Sequence, residues 1–247
     1  MSDQYADLAR DYDWLLTQDI RDNVLLLRSF GDVLGPPGTL KVLDCACGIG
    51  WNAIDLARRG YDVSASDGSA AMIGQARANA GGVRVELDLR VCRWDALGTV
   101  WTARFDVVLC VGNSLVHANA GDGLIRALRG MRDVLKPGGR LALDTRDWES
   151  PQWSPGRHVE VRSRAEVRGG ERAIAVRTWD IPVSRGDEYR TDIILIFEDA
   201  EGRLSHREHT IRYRPFTRRV LEWALEAAGF ARWDIAADGA WLNVVAS

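Results

Sequence analysis

Val42-Leu43-Asp44-Cys45-Ala46-Cys47-Gly48-Ile49-Gly50 reads as a short buried strand that ends in a turn of small residues, and Trp51 to Arg59 then has helical spacing and stops at Gly60. A strand, a glycine turn and a helix in this order let backbone approach a ligand without side-chain obstruction, with the N-terminus of the helix aimed at it. Tyr61 to Ser66 is the next strand, and Asp67 closes it with a carboxylate that can accept hydrogen bonds from both hydroxyls of a ribose. Gly48-x-Gly50-x-x-Ala53 followed by an acid also suits a nicotinamide dinucleotide, and Asp67 is equally placed to cap a helix, so these features alone leave the nucleotide undecided.

The same rhythm extends in both directions. Residues 19–34 carry Ile20, Val24, Leu27, Phe30, Val33 and Leu34 near helical spacing, ended by Gly35-Pro36-Pro37-Gly38. Downstream, residues 69–79 predict an Ala-rich helix, 83–89 an alternating strand, 105–111 an apolar strand, 121–135 a helix, and Arg140 to Thr145 a fifth strand after Leu135-Lys136-Pro137-Gly138-Gly139. Alternating strands and helices with short connections imply a parallel sheet covered on both faces. The pattern then changes to four β-like runs, His158 to Val167, Arg172 to Pro182, Tyr189 to Glu198 and Arg203 to Tyr213, with Gly169-Gly170 and Glu201-Gly202 as hairpin connections. Helix 217–228 and strands 230–235 and 240–246 return to the sheet. The expected fold is α/β, a Rossmann-like sheet of seven mostly parallel strands with the last antiparallel, plus an antiparallel β insertion.

Composition narrows the partners. At 247 residues with 46% hydrophobic content, one domain with an insertion is expected. A net charge of -3, with only Lys41 and Lys136 as lysines among 32 basic residues, argues against nucleic acid, whose binders carry a basic face. No apolar run has the length of a bilayer span, and the acidic, polar Met1 to Asp13 is unlike a signal peptide, so the expectation is a cytoplasmic protein with no membrane partner. Cys45, Cys47, Cys92 and Cys110 lie in or beside apolar segments without CxxC spacing, which favours buried thiols over disulfides or a metal site. Oligomeric state is not legible.

Asp44 to Gly50 resembles the first motif of class I S-adenosylmethionine (SAM)-dependent methyltransferases, in the form D-x-A-C-G-x-G. Asp67 falls where that family has its ribose acid, Trp94-Asp95 resembles its adenine-flanking segment, and Leu135 to Gly139 resembles its L-x-P-G-G turn. A finer likeness covers most of the chain. Asp3-Gln4-Tyr5-Ala6-Asp7, Trp14, Gly112-Asn113-Ser114-x-x-His117, Asp144-Thr145-Arg146-Asp147-Trp148, Tyr213-x-Pro215 and Ala227-Ala228-Gly229-Phe230 are similar to glycine and glycine/sarcosine N-methyltransferases.

That resemblance implies SAM as cofactor, held by Tyr5, Trp14, Asp44, Ala46, Gly48, Gly50, Asp67, Trp94, Asp95, Val111 and His117. It implies an acceptor site in which Arg146 holds the carboxylate of a small amino acid, Asn113 orients its polar groups and Tyr213 lines the space. It also implies a division into an N-terminal cap and helix (1–38), a SAM-binding core (39–150), a β insertion over the acceptor (151–214) and a C-terminal helix with final strands (215–247).

Chemistry agrees with these roles. A guanidinium at the ligand edge of the sheet binds a carboxylate in a bidentate way, and a structural ion pair of Arg146 with Asp144 or Asp147 is the competing account. A neutral amine attacks a sulfonium methyl directly, which gives His117 a binding role rather than that of a base. Trp179 and Tyr189 of the insertion are expected to close over the reactants with Tyr5 and Trp14. The chain departs from the family at Arg93, where animal members have asparagine, and at Gly239-Ala240-Trp241-Leu242, in place of the aromatic tail of bacterial members. Glycine or sarcosine is the expected acceptor, with another small molecule of secondary metabolism as the alternative. A nicotinamide oxidoreductase would need a Tyr-x-x-x-Lys pair, and no tyrosine stands four residues before Lys41 or Lys136. A silent SAM-binding module is the remaining rival.

Overall fold

The computed structural model describes residues 3–101, 105–118, 122–161, 165–168, 170–184 and 186–247, without the side chains of Gln18 and Asp19. Its first half runs α1 (Gln18–Arg21), α2 (Val24–Leu34), β1 (Lys41–Asp44), α3 (Trp51–Arg58), β2 (Asp62–Asp67), α4 (Ala70–Gly82), β3 (Asp88–Val91), α5 (Leu97–Val100), β4 (Phe105–Cys110), α6 (Asp122–Asp133) and β5 (Leu135–Arg146). The second half runs β6 (Gly156–Val161), β7 (Glu166–Arg168), β8 (Glu171–Ile181), β9 (Tyr189–Glu198), β10 (Leu204–Tyr213), α7 (Arg218–Ala228), β11 (Trp233–Asp238) and β12 (Trp241–Ala246).

Seven strands form one sheet in the order β11-β12-β5-β4-β1-β2-β3. β1 pairs in parallel with β2 and β4, β2 with β3, and β4 with β5, whereas β12 is antiparallel to both β5 and β11. Val42, Leu43, Val107, Val108, Leu141 and Leu143 are fully buried because helices cover both faces, which is why these strands read as unbroken apolar runs. Strand order reverses between β1 and β4, so their carboxyl ends flank the crevice where ligands of open parallel sheets lie.

Residues of the second half form a separate antiparallel sheet, β10-β9-β8-β6, with β7 paired to β8. Its buried face presents Ala173, Ala175, Ile193, Leu195, Phe197 and Ile211 to Leu8 and Leu15 of the N-terminal segment. That contact is locked by Asp11, only 2% exposed, which accepts from Arg207 and lies 3.1 Å from His209 Nε2.

Several elements differ from the sequence reading. The single helix expected over 19–34 breaks at Asn23, whose φ of 53° is left-handed and whose Nδ2 donates to Asn52 O at 2.9 Å, tying the break to α3. The strand expected over 83–89 starts only at Asp88, since α4 continues to Gly82 and Arg84 turns the chain at φ 58°. Leu135 to Gly139 is not a turn before the fifth strand but its first part, with a register shift against β4 between Phe105 and Val107. The expected run His158 to Val167 is two short strands; Arg162 to Arg164, and the calls on Gly169 and Gly121, lie outside the described residues. Among the described residues no helix is long and apolar enough to cross a membrane, and the four cysteines are buried and unpaired.

Helix α6 approaches the turn after β3 so closely that a Cβ on Gly130 would stand 1.9 Å from Trp94 O. Gly130→Ala should therefore push α6 off the Trp94 turn and lower stability by roughly 3 kcal/mol in urea unfolding, the upper range of overpacking. A change below about 0.5 kcal/mol, the size of an ordinary surface substitution, would contradict this packing.

Candidate functional site

A cavity of about 410 Å³ opens where the carboxyl ends of β1, β2 and β4 meet the N-terminal segment. Its walls include Tyr5, Tyr12, Ala46, Gly48, Asp67, Trp94, Asp95 and His117. Of the predicted cofactor residues, then, Tyr5, Ala46, Gly48, Asp67, Trp94, Asp95 and His117 come together around one space.

Asp67 is fixed by backbone. Its Oδ2 accepts from Gly48 N at 2.9 Å and its Oδ1 from Ser69 N at 2.8 Å, which joins the loops after β1 and β2 and leaves the other lone pairs of the carboxylate facing the cavity. Burial raises the Asp67 pKa, and the two N–H bonds oppose that shift. The N-terminal segment reaches the same place, where Ser69 Oγ donates to Asp3 at 2.6 Å. Across the cavity, Trp94 Nε1 donates to Cys45 O at 2.8 Å, which holds the indole as a wall. Asp95 beside it pairs with Arg93 at 3.2 Å and is held below the ordinary carboxylate range by that guanidinium.

His117 closes the opposite side. Gln4 Oε1 accepts from Arg212 N at 2.9 Å, an orientation that makes Gln4 Nε2 the donor to His117 Nδ1 at 3.0 Å. His117 Nε2 therefore carries the hydrogen and donates to Tyr5 Oη at 2.7 Å, leaving the Tyr5 hydroxyl hydrogen free. Burial pushes His117 down to about 4, so the ring is neutral at pH 7, and raises Tyr5 well above its ordinary value. Tyr12 is likewise pushed up to about 12 by burial.

Other predicted residues lie elsewhere. Trp14 is not among the cavity-lining residues; it packs edge-on against Phe197 with Arg168 stacked over it at 4.9 Å, joining the N-terminal segment to the second sheet. Gly50 faces α4, where a Cβ would meet Ala76 Cβ at 2.9 Å, so it is needed for helix packing. Val111 is buried in the core and its carbonyl accepts from Ser114 Oγ at 2.7 Å. Asp44 lies fully buried beneath the loop, its Oδ1 bound by Ala46 N at 3.2 Å and its Oδ2 without a protein partner. Burial pushes it up to about 7, with the neighbouring charges of Asp67 and Asp144 adding to the rise.

The predicted acceptor residues gather one ring behind the cavity. His117 stacks on Tyr213 at 5.0 Å, and Tyr213 in turn on Trp179 at 5.4 Å. The Arg146 guanidinium sits 5.0 Å from the Trp153 ring, 5.1 Å from Trp179 and 5.6 Å from Trp241. Among the described residues it has no ion pair, so the alternative of a structural bridge to Asp144 or Asp147 is not realised. Asp144 instead accepts from Asn113 N at 2.7 Å and is pushed up to about 6 by burial. Asn113, expected to face the acceptor, spends its Oδ1 on Arg146 N at 3.0 Å and Thr145 Oγ1 at 3.1 Å.

Sequence reading gave no role to Gln4, Tyr12 or Arg177. Only Arg177 left a usable trace, as a basic residue at the inward parity of the run Arg172 to Pro182.

The cavity fits the SAM expected from the sequence. Gly48 has φ 52° with open space where a Cβ would lie, so a cofactor can rest against bare backbone; Asp67 offers a rigid acceptor pair for a diol; and the orphan Oδ2 of Asp44 suits a cation beyond the loop.

Residues 42–139 match the methyltransferase domain family. A glycine/sarcosine N-methyltransferase of Aphanothece halophytica is 36% identical over 114 residues, 45% of this chain and 42% of that protein. The glycine N-methyltransferase of Rattus norvegicus is 31% identical over 160 residues, 60% of this chain and 55% of that protein. The chain thus spans about half the length of these relatives. Among solved structures, Streptomyces venezuelae DesVI superposes with a TM-score of 0.75 at 18% identity, covering 97% of this chain and 93% of that one. The SAM-bound amino pentose methyltransferase CalS10 from Micromonospora echinaspora superposes at 0.64 with 22% identity, covering 98% of this chain and 91% of that one. These likenesses identify the fold as that of class I methyltransferases.

Because Asp44 prefers its protonated form when folded, its contribution to stability is present at low pH and is lost between about pH 4, where an unfolded carboxyl ionises, and about 7. Urea unfolding should show wild type losing stability against Asp44→Asn across that window, by an amount on the order of a few kcal/mol, with no further divergence above it. A difference that does not vary with pH would overturn this account of Asp44.

Proposed function

We propose that this chain, whose core is a class I SAM-dependent methyltransferase domain, is an N-methyltransferase that modifies the amine of a small amino acid, glycine or sarcosine. The observation that carries this reading is the Arg146 guanidinium, enclosed by Trp153, Trp179 and Trp241 at the end of β5 with no acid among the described residues paired to it. A partly buried cation without a counter-ion is costly, and a ligand carboxylate would supply the missing charge in a bidentate pair. Partial sequence likeness to glycine and glycine/sarcosine N-methyltransferases supports the same acceptor class.

The cofactor supplies an electrophilic methyl group on a sulfonium. The chain's own residues bind and orient. Asp67 would hold the ribose diol, Trp94 would wall the adenine side, and the loop from Cys45 to Gly48 would support the rest. Tyr5 and Tyr12 stay protonated, so their hydroxyls act as hydrogen-bonding groups and not as bases. His117 is no base either: Nδ1 already accepts from Gln4, Nε2 carries the hydrogen, and burial keeps the ring neutral. The amine must therefore arrive deprotonated, helped by the positive surroundings that Arg146 creates.

Two measurements test this. Arg146→Ala should raise KM for glycine or sarcosine about 30-fold, the equivalent of roughly 2 kcal/mol for a charge-assisted hydrogen bond, and leave SAM affinity in calorimetry unchanged. Equal loss of both would assign Arg146 a structural role, and turnover of an amine lacking a carboxylate, indifferent to Arg146, would favour the secondary-metabolite acceptor. The second measurement is the pH profile of kcat/KM, which should climb toward the pKa of the amine and keep its shape in His117→Gln; an inflection that this substitution removes would give His117 an acid–base role.

A further inference from the structure

Arg177 lies in the middle of β8 on the face that the second sheet buries. Its neighbours at the same parity, Ala175 and Trp179, are 6% and 3% exposed, and its partner across β9 is Ile193, also 3% exposed. A basic residue at such a position needs a counter-charge, yet among the described residues its guanidinium is in no ion pair. Glu160, opposite it on β6, is exposed and is not within pairing distance. Two residues along the strand is Trp179, on which the Arg146 guanidinium stacks at 5.1 Å and Tyr213 at 5.4 Å. Residues i and i+2 of a strand are about 6.7 Å apart on one face, so Arg177 and Arg146 border the same aromatic chamber. The charge of Arg177 also acts on Tyr12, Tyr213 and Arg146, which agrees with a side chain turned inward.

The chamber thus holds two guanidiniums beside a site that receives a sulfonium, and among the described residues the acid whose charge reaches it, Glu160, acts on Arg146 and Tyr213 from the exposed edge without pairing to either guanidinium. An acceptor with one carboxylate would neutralise Arg146 and leave Arg177 uncompensated. We propose that Arg177 is a specificity-determining residue that receives a second anionic group of the acceptor, so that the preferred substrate is an amino acid with a side-chain carboxylate. This rests on the proposed amino-acid acceptor, and extends it from glycine to acidic homologues.

The test compares one anion with two. With the protein saturated by S-adenosylhomocysteine, succinate should bind at least 10-fold more tightly than acetate in calorimetry. With SAM, kcat/KM for aspartate or glutamate should exceed that for glycine by a similar factor. Arg177→Gln should bring both ratios close to one, and Arg177→Lys, which keeps the charge, should restore part of each. Glycine turnover with equal binding of acetate and succinate and no preference for acidic amino acids would overturn the role of Arg177 and leave the parent reading standing. No turnover of any amino acid and no binding of either anion would overturn both.

Discussion

The amide oxygen of Asn113 is shared between Arg146 N at 3.0 Å and the Thr145 hydroxyl at 3.1 Å, and the geometry of the site depends on that junction. Asn113 adopts φ 60°, a left-handed conformation that asparagine tolerates better than most residues, and its own N–H donates to Asp144 at 2.7 Å. The loop after β4, which reaches the cavity through Ser114 and His117, is thereby bolted to the end of β5, which carries Arg146. β5 is in turn paired with β12 so that Arg146 faces Trp241, one of the three rings around its guanidinium. A neutral amide is needed at this position, because an aspartate there would set a second carboxylate against Asp144.

The sheet was legible because its physics is local. Buried parallel strands read as apolar runs, and the turn after Asp44 and the acid Asp67 carry their spacing in the sequence. The second sheet was legible as alternation, but pairing was not, so the run His158 to Val167 gave no sign that it is two strands. Helix boundaries failed where one residue decides them: Asn23 breaks a helix whose apolar spacing continues through it, because the bond to Asn52 O lies 29 residues away in sequence.

Within the site, residues that touch the cavity through backbone or a fixed acid were easiest to foresee. Trp14 was harder. Its position depends on Phe197 and Arg168, contacts of long sequence separation that no spacing encodes. Arg146 was placed correctly at the end of β5, yet its choice between an acid and three tryptophans is a tertiary outcome. Arg177 shows the opposite case, a residue whose parity was in plain sight but whose meaning required knowing which face of the sheet is buried and what lies across from it.

The arrangement of charge joins these observations. Beneath the loops after β1 and β4 lie Asp44 and Asp144, buried carboxyls that burial pushes to about 7 and about 6. Beyond Tyr213 lie Arg146 and Arg177, guanidiniums in no ion pair among the described residues. Each buried set is unfavourable alone: the carboxyls are relieved by protonation and by the Ala46 and Asn113 amides, and the guanidiniums would be relieved by an anion. In the proposed reading, the charge that opposes stability in the chain by itself is therefore the one that draws the acceptor. On the proposed acceptor side it would do more, since nearby positive charge disfavours an ammonium and favours the free amine, the only form with an electron pair to attack. A site whose histidine and tyrosines serve as no base could in this way still select the reactive protonation state.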